Sequence, residues 1–130
     1  IDMSNEMLKE ARWRRGPGGV FLRGNAECFG EMNSFDVVTI FFALHEMPAW
    51  ARRKVLRNCK RVAARKVVVC DIAPIYKPSK SMLAGEPFIL NYLENIYSEM
   101  STYGYVYNTT LSTDRLLIAT FVSQDAGLEL

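Results

Sequence analysis

Phe35-Asp36-Val37-Val38-Thr39-Ile40-Phe41-Phe42-Ala43-Leu44 (FDVVTIFFAL) is an almost unbroken apolar run, rich in β-branched and aromatic residues. A strand of this kind has no polar face to turn to water, so it suits a sheet covered on both sides, as parallel sheets are. The period then changes. Ala51, Val55, Cys59 and Val62 recur at helical spacing after Pro48, a residue suited to a helix start. Lys66 to Ile72 (KVVVCDI) reads as a second buried strand. Strand, helix and strand in this order predict a right-handed parallel crossover.

Toward the N-terminus, Ser4 is placed to cap a helix with Glu6 in its first turn and an apolar stripe of Met7, Leu8 and Ala11. Gly16-Pro17-Gly18-Gly19 stops that helix. It is a turn and not an anion-cradling glycine loop, because such a loop follows a strand and opens a helix, whereas this one follows a helix. Val20 to Arg23 is read as a short strand, followed by a polar stretch from Gly24 to Ser34.

Toward the C-terminus, a loop from Ala73 to Gly85 leads to a helix opening near Pro87, with Ile89, Leu93, Ile96 and Met100 on its buried face. Phe88 and Tyr92 stand beside that stripe, where they could wall a pocket or simply be core. Tyr103, Tyr105 and Tyr107 alternate with smaller residues as on a strand. Arg115 to Ser123 (RLLIATFVS) is the last strand, and the polar segment between them predicts an antiparallel hairpin. The expected architecture is one α/β domain over 1–130: a Rossmann-like, doubly wound, mostly parallel sheet ending in an antiparallel hairpin.

Composition bounds the function. A chain that is 49% hydrophobic and 23% charged is globular and not disordered. A net charge of +2 is too small to point to nucleic acid or an anionic membrane. Basic and acidic residues are interspersed, the pattern of a solvated surface. Cys28, Cys59 and Cys70 are an odd number without paired spacing, so neither a disulfide framework nor a zinc site is expected and no metal is assigned. Buried reduced thiols suit the cytoplasm or another reducing intracellular compartment. No apolar run reaches membrane-spanning length.

In open α/β sheets, ligands bind beyond the carboxyl ends of the parallel strands. Here those ends carry Ile1-Asp2, Gly24-Asn25-Ala26, Leu44-His45-Glu46 and Asp71. A carboxylate placed as Asp2 is can accept hydrogen bonds from both hydroxyls of a ribose, although an acid flanking a helix start explains it as simply. His45, the only histidine, is a candidate to take a proton, since imidazole titrates near neutrality. Capping the next helix or bonding to backbone is the plainer role. Glu46 and Asp71 are weaker candidates. Tyr76 and Lys80 have the Tyr-x-x-x-Lys spacing of short-chain dehydrogenases, but Pro78 between them opposes the helix that chemistry needs.

Ile1-Asp2-Met3-Ser4 with Met7-Leu8 and Ala11-Arg12, Gly24-Asn25-Ala26-Glu27, Ser34 to Thr39 with Leu44-His45-Glu46-Met47-Pro48, and Val55-Leu56-Arg57 with Lys60-Arg61-Val62 together resemble the class I S-adenosylmethionine-dependent methyltransferases. Their small-molecule branch, which includes the quinone methyltransferases, is most similar in wording. The resemblance covers residues 1 to 75; beyond that only topology agrees. It implies transfer of a methyl group from S-adenosylmethionine to a small-molecule acceptor. Asp2 would hold the ribose hydroxyls, and Met3 would lie against the adenine. Ala26 would donate its backbone N–H to the ring, with Asn25 reaching the amino group. Ile40 and Phe41 would lie near the methionine portion.

Three departures qualify this. Asn25 stands where the family usually has aspartate, and Ala63-Ala64-Arg65 replaces the usual Pro-Gly-Gly. The first strand and its glycine-rich loop are also missing, so the chain reads as an N-terminally truncated fragment. Such a fragment is expected to bind cofactor weakly, to be inactive alone, and to be prone to self-association through the gap. These departures motivate the alternative of a non-catalytic methyltransferase-like domain acting as a partner subunit. A nicotinamide-dependent oxidoreductase on a related fold shares Asp2 but not the later segments.

Overall fold

The computed structural model describes residues 1–124. Helix α1 (Asn5–Arg15) starts at Ser4, whose side chain accepts from the Met7 N–H, and ends at Gly16, which adopts φ 56° and donates its N–H to the Arg12 carbonyl. The apolar stripe expected along it is mostly solvated: Leu8 alone is buried, and Met7 is 59% exposed. The segment expected to be a strand from Val20 to Arg23 pairs at one residue only, a parallel bridge between Arg23 and Asp2. It runs between a glycine turn and a close turn at Gly24, where an added Cβ would meet the Phe29 ring at 2.5 Å.

Strand β1 (Phe35–Phe41) leads through a short 3₁₀ turn (Leu44–Glu46) into α2 (Ala49–Val62) and β2 (Ala63–Ile72). β1 and β2 are parallel, as the crossover requires. The strand expected to continue to Leu44 stops at Phe41, because Phe42 turns the chain with φ 50°. β2 begins three residues earlier than its apolar pattern suggests, since α2 runs into it with no intervening turn. The loop expected from Ala73 to Gly85 contains a short helix, α3 (Lys80–Gly85), capped by the Ser79 side chain on the Met82 N–H.

Helix α4 (Ile89–Thr102) buries Ile89, Ile96 and Met100 as its spacing predicts, with Leu93 half-buried, and Tyr92 joins them at 0% exposure. Tyr103 caps this helix and does not sit on a strand; the strand that follows, β3 (Val106–Tyr107), is only two residues long. It pairs antiparallel with β4 (Leu116–Val122), the expected hairpin, and β4 lies antiparallel against β2. The sheet order is β1-β2-β4-β3, a Rossmann-like α/β arrangement. Val67, Val69 and Leu117 of the sheet pack with Val55 and Leu56 of α2 and with the α4 face into one core.

A buried ion pair crosses this core. Arg52 of α2 is fully buried and meets Glu99 of α4 through two bonds, Nε to Oε2 at 2.8 Å and Nη2 to Oε1 at 3.0 Å. The same guanidinium donates to the Met47 carbonyl at 2.7 Å and to Asn91 Oδ1 at 2.8 Å. Charges that read in the sequence as solvated surface therefore tie α2 to α4 in the interior, which is tolerable only because nearly every donor has a partner.

Candidate functional site

The last residues of β1 and β2, the Asp2 bridge and the turn after Arg23 all come to one end of the molecule. Asp2 is fixed through its backbone, which accepts from Gly24 N–H and donates to the Leu22 carbonyl. Its Oδ1 accepts from the Ser4 N–H at 2.7 Å, so the helix-flanking role is real. Oδ2 has no hydrogen-bond partner among the described residues and stays available to a ligand. Ala26 is positioned from α2: Asn58 donates to the Ala26 and Phe29 carbonyls, both at 2.9 Å, and Arg61 donates to the Gly30 carbonyl at 2.7 Å. Asn25 uses its Oδ1 on the Glu27 N–H at 2.9 Å, an Asx-type turn, which leaves its NH₂ as the free end.

A groove of about 390 Å³ separates the Asp2–Arg23 bridge from β1. Among the described residues, β1 pairs with β2 on one side only and Asp2 pairs only with Arg23, so the two edges facing the groove carry no strand partner there. Of the six residues expected to bind cofactor, four line it: Asp2, Ala26, Ile40 and Phe41. Met3 and Asn25 lie outside its lining, and Met3 is 59% exposed. Cys59 also lines the groove, and burial pushes its thiol up to about 11, so it is an inert apolar wall and not a nucleophile.

His45 does not line the groove. The 3₁₀ turn carries it behind the wall formed by Ala43 and Met47, where it is 7% exposed. It neither caps α2 nor bonds to backbone. Its Nδ1 lies 2.7 Å from Asp71 Oδ1, and its ring stands edge-on to Tyr92 with centroids 6.1 Å apart. Tyr92 donates its hydroxyl to the Ile72 carbonyl at 2.6 Å, and burial followed by the Asp71 charge raises its pKa. His45, Glu46 and Glu86 each bring one ligand-type atom within 4.8 Å of the others, but Glu46 is exposed and Glu86 half-exposed, as solvated acids usually are.

Sequence reasoning passed over Phe42 and underrated Asp71. A bulky side chain at positive φ is strained, and such strain collects at functional turns. Nothing in a run of apolar letters marks which residue will turn. Asp71 stood out only as a polar residue ending a buried strand; its partner is 26 residues away.

A family profile described as a methyltransferase domain matches residues 1–74, more than half of the chain. The chain belongs to the methyltransferase domain family. Its fold is that of the S-adenosylmethionine-dependent methyltransferases. An S-adenosylmethionine-dependent methyltransferase from Aquifex aeolicus superposes with a TM-score of 0.65 at 17% identity, over 92% of this chain and 66% of that one. One from Mesorhizobium loti gives 0.64 at 14% identity, over 94% and 78%. The magnesium protoporphyrin IX methyltransferase of Synechocystis, solved with bound S-adenosylmethionine, gives 0.58 at 17% identity, over 91% and 56%. This chain thus spans about two thirds of the Aquifex methyltransferase. No curated protein matches it. Among the described residues, no helix is long and apolar enough to cross a membrane.

Proposed function

We propose that this methyltransferase domain transfers a methyl group from S-adenosylmethionine to a small-molecule acceptor. The observation that carries the reading is that Asp2, Ala26, Ile40 and Phe41, from three separate segments, line one groove that runs along β1 to its carboxyl end, the end at which open α/β sheets bind ligands. The residues present fit the cofactor. Asp2 Oδ2 is an open acceptor for ribose hydroxyls, the Ala26 N–H makes no hydrogen bond among the described residues, and Ile40 and Phe41 supply apolar surface for the aliphatic portion. Asn25 offers only its amide N–H₂ and, with Met3, plays at most a flanking part.

When bound, the cofactor supplies an activated methyl group on a sulfonium. The protein's task is then alignment of acceptor, methyl carbon and sulfur, an effect that contributes on the order of 7–11 kcal/mol. His45 is the candidate to take the proton of an acceptor that must lose one: Asp71 engages Nδ1 and leaves Nε2 open. The acceptor must then reach the ring from beyond the groove lining, which His45 does not join. The two open edges of the groove suit one more parallel strand. The loop after such a strand would hold the cofactor's amino-acid end, so the chain alone is expected to bind cofactor weakly and to associate through the gap.

Calorimetric titration of S-adenosylhomocysteine into the full-length protein and its Asp2→Ala variant tests the reading. Loss of the charge-assisted bonds should weaken binding by roughly 10- to 100-fold. No binding by the folded parent protein sinks the cofactor site and leaves the non-catalytic partner subunit, which the absent Pro-Gly-Gly after α2 favours. Methyl transfer from labelled cofactor removes that second reading.

A further inference from the structure

Asp71 is 0% exposed at the end of β2, and three groups converge on its carboxylate. The Leu44 N–H donates to Oδ2 at 2.8 Å, the Ile72 N–H donates to Oδ1 at 2.7 Å, and His45 Nδ1 meets Oδ1 at 2.7 Å. The backbone bonds lock the carboxylate to its own strand and to the first residue of the 3₁₀ turn, so its direction toward His45 is set by the fold. Because both carboxylate oxygens already accept from backbone N–H groups, Oδ1 presents an acceptor to the ring, and the Nδ1–H tautomer is the one that satisfies it. Tyr92, itself tied to the Ile72 carbonyl, closes the other side of the ring edge-on.

We infer that Asp71 is a positioning residue that holds His45 as the Nδ1–H tautomer and so keeps the Nε2 lone pair free to receive a proton. This rests on the reading of His45 as the proton acceptor in methyl transfer. The bond between the acceptor's heteroatom and its hydrogen leaves its electron pair on that heteroatom, which forms the new bond to carbon. The carbon–sulfur bond breaks with its electrons returning to sulfur, and the proton moves to Nε2. Asp71 stays a carboxylate and faces the resulting imidazolium. Glu46 Oε1 lies 3.9 Å from Nε2, and Glu86 belongs to the same cluster, so two more carboxyl groups face this ring. Arg52, 5.9 Å from the Tyr92 ring, lies behind Tyr92.

The test is a long-range ¹H–¹⁵N correlation spectrum of the ¹⁵N-labelled full-length protein above the pH at which the ring loses its second proton, with His45→Gln assigning the ring signals. Nδ1 is expected at the protonated-nitrogen shift and Nε2 at the lone-pair shift. In Asp71→Ala, which leaves Nδ1 without its acceptor, the Nε2–H tautomer that a free imidazole favours should gain population, and the two shifts should move toward each other or exchange. An Nε2–H tautomer in the parent protein overturns the inference even if the variant does not fold, as does an unchanged tautomer in a folded Asp71→Ala. Neither result touches the cofactor reading, which stands or falls on the S-adenosylhomocysteine titration.

Discussion

β1 and β2 share a pattern and not a sequence: FDVVTIF and KVVVCDI are both largely apolar, both rich in β-branched residues, and parallel neighbours in one sheet. Their fates differ. In β2, Val67 and Val69 are 0% exposed, and β1 and β4 pair on either side. In β1, Val37 is 51% and Phe41 60% exposed, and Ile40 alone is buried. The composition of a strand states what it needs, two covered faces and two neighbours, and only the fold decides whether it gets them. β1 lacks one neighbour, and that deficit is the groove in which the candidate cofactor residues meet. The well-covered half of the molecule is thus a scaffold, and the under-covered half is where binding is proposed.

The sharpest way to break this contrast is to strike the scaffold at its buried charges. Arg52→Ala leaves Glu99 buried, with its two guanidinium bonds gone and only Arg53 at 3.8 Å nearby. The expected loss is about 3–5 kcal/mol, read by urea denaturation. Arg52→Met with Glu99→Met should recover most of it, since the cost lies in the orphaned charge and not in the missing attraction. A single variant that melts like the parent refutes the assignment of α2 and α4 to one rigid scaffold.

Alkaline unfolding tests the same half without mutation. Burial lifts the Cys59 thiol from 9.0 to about 11, and raises the Tyr92 and Tyr105 hydroxyls above their ordinary 10.0. A folded-state pKa raised above the unfolded one means that the folded protein holds the proton longer, so stability is full below the unfolded value and declines as pH rises past it. The midpoint of urea unfolding should be flat below about pH 8.5 and fall above it. Cys59 alone contributes a decline of roughly 3 kcal/mol by the time pH passes its folded value. A midpoint constant to pH 11 would mean that these groups are solvated.

The scaffold was largely legible and the site only partly so, for a physical reason. Strand and helix periods are local, and Phe35–Phe41, Ala49–Val62 and Lys66–Ile72 declare themselves within a few residues. The parallel crossover and the final hairpin follow from handedness and turn chemistry. The buried pair Arg52–Glu99 spans 47 residues and looked like two solvated charges, because burial of a charge depends on a partner that no window contains. His45 was visible as a lone histidine at a strand end, but its Asp71 partner, its distance from the groove lining and the Phe42 turn that separates the two were not.

The smallest expected effect is the most informative about the open edge. Val69→Ala removes two methyl groups from a fully covered site in β2 and should cost about 1–3 kcal/mol. Val37→Ala makes the same chemical change on the neighbouring strand, where half of the side chain already meets water, and should lie within about 0.5 kcal/mol of the parent. Urea melts of both variants, made over a range of protein concentrations, separate two states of the groove. Unequal costs at every concentration mean that β1 keeps its open edge. Equal costs mean that a second copy covers Val37 in solution, and dilution should then restore the difference.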